Sequence, residues 1–457
     1  MYVGVRLRTG RVVRKVNVEM SASAGSRRRR ARGVLAAAVV GVLLVSGCSG
    51  ADGGSGVGPG VTSEPCPQAV DESKGCIYLG VLSDLGGGPF EALGRALQDG
   101  QRTFWDQVNR SGGIGGKYEV DNTTYVENTS YDPVRHGPAY EKVEPHVLAF
   151  AMSLGSSQTQ SILPRMDQAN VFTGAGTLWS GWQYAQTDRG LVLEIGYSYC
   201  TEAIIGLDWL AERYGRPQRI GIVTYSGNYG EDYAAGARKW ALANNVAVTA
   251  DIRTATNREI GNQDLAVQQL LADPPNAVVL ATGPGETGEI VGRLVEGGYP
   301  GRFLGSLPTW NAALLQTPAG PALAARYATT SPVDGWDGVS AGAGRARAAA
   351  TGDPANLGFN WGWALSYPLH AALTEAVEEG KLNRAGVRAV IADGLSVDFE
   401  GMLGARDYGS LTSNPHSHRA VVGVPDASAP TGLRTVATDY HGPTQERVRL
   451  PEPCIRY

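Results

Sequence analysis

The chain of 457 residues is notable first for what it lacks. Its five cysteines form no Cys-x-x-Cys pair, which argues against a zinc site. It has no apolar run of the length needed to cross a bilayer. The greasy stretch Val34–Val45 is about a dozen residues long, where a spanning helix needs about twenty. Beyond its first segment it also lacks basic charge. Ten of the 40 Lys and Arg residues precede Cys48, and from there on 30 basic residues face 43 acidic ones, a net of −13. A body that acidic is unsuited to non-specific nucleic-acid binding.

Three chemical motifs are incomplete. Gly283-x-Gly285-x-x-Gly288 stands between a strand-like and a helix-like run, where a dinucleotide fingerprint would hold a pyrophosphate. The segment Arg302–Pro308 offers no acid for a ribose hydroxyl. Gly196-Tyr197-Ser198-Tyr199-Cys200 nearly spells a nucleophile elbow, but cysteine occupies the last position, where the crowded turn needs glycine. His416 and His418 would share a strand face, with no further metal ligand in view. No nucleophile is matched to a base. The expectation is therefore a protein that is not an enzyme and uses no cofactor or metal.

What is present begins with an address. Arg27–Arg30 and Arg32 form a positive region ahead of Val34–Val45, the layout of a signal peptide, and Met20 sits where such a peptide would start. Small residues then lead directly into a cysteine, Val45-Ser46-Gly47-Cys48. That run resembles the bacterial lipobox, which implies cleavage before Cys48 and acylation of its sulfur. Two acyl chains give a stable anchor where one is marginal. The Gly/Ser-rich stretch after it reads as a flexible tether, with a span of roughly 20–25 Å to Cys66. The folded part is expected outside the cytoplasmic membrane. There Cys66, Cys76, Cys200 and Cys454 form an even set for disulfides. Three pairings are open, and Cys66–Cys76 with Cys200–Cys454 is the preferred one.

From Ile77 onward, short apolar runs alternate with amphipathic stretches. Ile77–Leu82, Val147–Met152 and Asn170–Thr173 read as strands, with a helix over Phe90–Asn109. A second set follows the helix Thr201–Tyr214, with strands at Arg219–Val223, Val246–Ile252, Ala277–Ala281 and Phe303–Gly305 separated by helices. Strands spaced by single helices predict parallel sheets with crossover helices. Two successive sets predict an α/β protein of two doubly wound lobes. The small-residue stretch from Gly335 to Gly358 reads as a surface loop. A long helix, Trp361–Glu379, and a β-rich tail close the chain.

The pieces "IYLGVLSDLGGGPFEALGRALQDG", "DQVNRSGGIGGKYEV", "YDP", "GSSQTQS", "RIGIVTYSGNYGED" and "NAVVLATGPGETG", in that order, resemble the type I periplasmic binding proteins, in particular the branched-chain amino-acid and amide-binding subfamily. The resemblance implies two lobes joined by a three-crossover hinge. Residues 66–200 plus about 331–395 would make the first lobe, and 201–330 plus about 396–457 the second. It implies a monomer that captures a small polar solute between the lobes and delivers it to a permease and ATPase. A sensing lipoprotein of the same fold is the alternative function.

By position, the resemblance puts Ser156 or Ser157, Ala175 and Thr177 on a ligand carboxylate, Leu93 on the ligand's side chain and Tyr229 across the cleft. Ser156 and Ser157 would equally serve as helix caps. The carboxylate that grips an amino acid's ammonium in the subfamily is replaced by Leu307. Either Glu286 substitutes for it, or the ligand has no ammonium. Trp310 or Trp179 would then offer a platform for an aromatic solute.

Overall fold

The computed structural model describes residues 58–456 apart from 260–262 and 410–418. The signal segment, Cys48 and both histidines of the possible chelate lie outside that set. The first lobe is built on Gly75–Ser83, in which every residue but Tyr78 is buried. A strand covered on both faces reads as a continuous apolar run, and this one does. Parallel partners flank it, Tyr118–Asp121 and Val126–Asn128 on one side, then Ala149–Leu154, Thr173–Gly176 and Val192–Leu193 on the other. The helix Glu91–Arg110 buries Leu93, Leu97, Phe104 and Trp105 along one stripe and packs against the long helix Gly358–Glu378.

The second sheet runs Ala247–Thr254, Arg219–Tyr225, Ala277–Ala281, Arg302–Gly305 and Tyr327–Ser331, all parallel. Two antiparallel strands, Ala420–Pro425 and Leu433–Tyr440, complete it. The chain is thus an α/β protein with two sheet lobes, as its alternating pattern predicts. The stretch read as a loop holds a helix, Ala341–Ala349, capped by the Ser340 hydroxyl. Alanine propensity outweighs the glycines there. A short ribbon of Leu395–Val397 and Arg406–Tyr408 bonds back to the first lobe, where the Tyr408 hydroxyl donates to the Glu194 carbonyl at 2.8 Å.

The chain passes between lobes side by side at the hinge. Gly196 has φ +79°, and a Cβ there would lie 2.2 Å from Pro332 on the returning crossover. Only glycine lets the two crossovers lie so close. Disulfides join Cys66 to Cys76 and Cys200 to Cys454, with Cα separations of 4.8 and 6.3 Å. The second ties the C-terminal tail to the helix Tyr199–Tyr214.

Candidate functional site between the lobes

Where the lobes meet, a narrow cavity of about 20 Å3 remains. Its first-lobe wall comes from two strand ends. Ala149–Leu154 runs through Gly155 into the helix Ser156–Ala169, whose N-terminus no side chain caps. Ser156 and Ser157 are therefore the first two helical residues, not caps. The Ser156 hydroxyl shares a hydrogen bond with that of Thr177, which follows the strand Thr173–Gly176. First-turn amides of a helix point outward and favour negative charge. Hydroxyls and amides thus converge on one corner of the cavity.

The rest of the lining is aromatic. Phe90 stands edge-on to Tyr131 at 4.6 Å and to Tyr229 at 5.9 Å, and Tyr229 lies 4.7 Å from Tyr199. Phe90 is held by Asp84, whose carboxylate accepts from the Phe90 amide at 2.8 Å and the Gly88 amide at 3.1 Å. Ser130 and Tyr131 both have left-handed backbones, φ 51° and 57°. Such geometry costs roughly 1–2 kcal/mol per residue. It is fastened by the Ser130 hydroxyl, which donates to the Gly86 carbonyl at 2.8 Å. Strain held in this way is typical of ligand-contacting turns. Burial raises the Tyr131, Tyr199 and Tyr229 phenols well above their ordinary range, so they stay neutral.

The lobes also touch directly. The Asn228 amide N–H donates to the Ser157 hydroxyl at 3.2 Å, and its side chain donates to Gln160 at 2.8 Å. Arg258 donates to the Gly87 carbonyl. Gly283 lies under Pro89 of the first lobe, since a Cβ would sit 3.1 Å from Pro89 and 2.6 Å from the Tyr225 hydroxyl. The near-fingerprint glycine thus serves lobe contact. Ser198 of the near-elbow caps a helix, accepting from the Thr201 amide, and Cys200 is in its disulfide.

Residues 77–425 match the model of a family described as periplasmic binding protein. The chain belongs to that family. Its two parallel-sheet lobes have the type I fold. Solved structures share the fold at low identity. A fatty acid ABC transporter substrate-binding protein from Thermomonospora curvata aligns at 22% identity and TM-score 0.76, covering 86% of this chain and 97% of that one. A branched-chain amino acid ABC transporter structure from Thermus thermophilus with bound valine aligns at 12% and 0.64, covering 82% and 98%. A solute-binding protein from R. palustris in complex with 4-hydroxybenzoate aligns at 12% and 0.64, covering 81% and 98%. No curated protein matches the chain. Among the described residues no helix is long and apolar enough to cross a membrane.

In this binding protein Leu93, Ser156, Thr177 and Tyr229 line the interlobe cavity together. Ser157 instead faces Asn228, and Ala175 is buried within its strand without reaching the cavity lining. Trp310 is not in the cleft. Its ring packs on Tyr327 in the second-lobe core, and its indole N–H donates to the Thr431 carbonyl at 3.0 Å. An indole after a strand reads the same in sequence whether it faces a cleft or a core. Trp179 is likewise buried, edge-on to Trp182 at 4.8 Å.

Glu202 answers the question of the missing carboxylate. It accepts from the Ser306 hydroxyl at 2.6 Å and the Leu307 amide at 2.7 Å, and burial pushes its carboxyl up to about 8. Glu286, the candidate substitute, accepts from the Tyr225 hydroxyl at 2.5 Å and the Asn257 amide at 2.7 Å. Sequence reading missed Phe90, Tyr131, Tyr199 and Trp361 in the lining. The Pro after Tyr131-Asp132 signalled a turn there; nothing local marked the inward face of Trp361.

Proposed function

We propose that this protein is an extracytoplasmic solute-binding lipoprotein, anchored through Cys48, that captures a small carboxylate-bearing solute between its lobes and delivers it to an ABC permease. The observation that carries the reading is the Ser156–Thr177 hydroxyl pair at an uncapped helix N-terminus, opposite Tyr229 across the hinge-linked cavity. Valine and 4-hydroxybenzoate, named with two of the similar structures, both carry a carboxylate. The cavity has room for about one water. Entry of any larger solute therefore requires the lobes to part. A solute that touches both walls then shifts the population of lobe arrangements by its differential affinity for them.

A thermal-shift screen of the Cys48→Ser protein against amino acids, amides, organic acids and nucleosides tests capture. Solute at 100 times its Kd should add about 2.7 kcal/mol of stability. Small-angle scattering with the best hit should show a changed lobe arrangement. A flat screen and an invariant scattering profile would remove the solute-binding role. Labelling cells with a fatty-acid analogue should tag the wild-type chain and leave Cys48→Ser untagged.

A further inference from the structure

Given that the interlobe cavity is the solute site, its uncharged walls treat a cation and an anion differently. None of the described side chains that line it carries a charge of either sign. The nearby buried carboxylates are occupied within the protein: Asp84 by the Gly88 and Phe90 amides, Glu202 by Ser306 and Leu307, Glu286 by Tyr225 and Asn257. Burial also raises the Glu202 carboxyl to about 8, which disfavours its charged form. Glu259 acts on the Tyr131 phenol from an exposed position and does not line the cavity. An ammonium brought here would lose its water and meet no available anion, an uncompensated cost of several kcal/mol.

An anion finds the opposite. The uncapped first turn of Ser156–Ala169 faces it, along with the hydroxyls of Ser156 and Thr177. Trp361 lines the same cavity. It is 1% exposed, and its indole N–H meets no acceptor among the described residues. A buried N–H left without a partner is costly, and a ligand oxygen would relieve it. Between these groups, Phe90, Tyr131, Tyr199 and Tyr229 pack on one another in the closed cavity, and they offer ring edges and faces to a flat apolar body once the lobes part.

We propose that the cleft selects a monocarboxylate with an apolar ring and no ammonium group, and that Trp361 is a specificity-determining donor to its carboxylate. Isothermal titration with matched probes tests this: 3-phenylpropanoate against phenylalanine, 4-methylpentanoate against leucine, and 3-phenylpropanamide as the uncharged control. Each acid should bind at least tenfold more tightly than its amino acid, and 3-phenylpropanoate should bind more tightly than 4-methylpentanoate and than its own amide. Trp361→Phe should weaken 3-phenylpropanoate severalfold with an unchanged melting temperature. Tighter binding of phenylalanine or leucine overturns the ligand class while leaving solute capture intact. Unchanged affinity in a folded Trp361→Phe removes that residue's role. If no probe binds at millimolar concentration the ligand class is wrong, and the broad screen above decides separately whether the protein captures solutes at all. Should Trp361→Phe fail to fold, the probe series on the unaltered protein still decides the class.

Discussion

The cleft between the lobes and a groove on the outer edge of the first lobe differ in size, charge and mechanical setting. The groove is far larger, about 570 Å3, and is framed by Asp188, Arg189, Glu194 and Arg388, with Leu450 and Pro451 of the tail on its rim. Its charges are matched from within. Glu194 pairs with Arg406 in a buried salt bridge, and Arg189 and Arg388 share Asp167 at 3.0 and 2.9 Å. The cleft offers about 20 Å3 and no charged side chain among its described lining. An indole N–H without a partner among the described residues occurs in both linings, Trp361 in the cleft and Trp182 in the groove. The contrast teaches that volume does not make a site. A hollow becomes one when its walls belong to bodies that move against each other.

The largest effect that tests this contrast falls on the groove. Glu194→Ala leaves the Arg406 guanidinium buried beside a lost carboxylate, and should cost about 3–5 kcal/mol in denaturant unfolding. Solute affinity of the folded fraction should be unchanged. A folded variant that loses binding would mean the groove is part of the site. Next in size, replacing Cys200 and Cys454 together with serine frees the tail that forms the groove rim. The expected loss is about 2–4 kcal/mol, read as a lower melting temperature under non-reducing conditions.

In the cleft, Thr177→Val removes one hydroxyl from the converging set. A carboxylate ligand should bind about tenfold more weakly by calorimetry, near 1.4 kcal/mol, with little change in stability. Equal affinity would strike Thr177 from the site.

A pH series separates the two hollows by a smaller effect. Burial raises Glu202 behind the cleft to about 8, and in the groove raises Asp188 to about 7. These carboxyls bind protons more tightly folded than unfolded, so the stability they lend at acid pH is lost as pH rises through 7–8. Buried His136, lowered to about 4, works in the opposite sense, but only below its ordinary value of 6.5. The melting temperature should therefore fall between pH 6.5 and 9. Asp188→Asn should flatten the groove's share of that slope and Glu202→Gln the cleft's.

Much of the architecture was legible because strands buried on both faces leave unbroken apolar runs, as in Gly75–Ser83 and Ala277–Ala281. Part of the site was legible as well. The resemblance put Ser156 or Ser157 and Thr177 on the ligand by position, and the fold brings Ser156 and Thr177 into one hydrogen bond. The aromatic half was not. Phe90, Tyr131, Tyr199 and Trp361 come from four separate elements, and each has the same local pattern as a core residue such as Trp310.

The residue pattern by itself determined the two α/β lobes, the incomplete motifs and the cysteines available for pairing, because these rest on periodicity and on residue type at short range. Only the tertiary structure decided that Glu202 is consumed by Ser306 and Leu307, that Trp310 belongs to a core, and that Trp361 has no acceptor for its N–H among the described residues. Those outcomes depend on which groups long-range packing brings within hydrogen-bond reach, and partners separated by a hundred residues leave no mark on one another's neighbourhood in the chain.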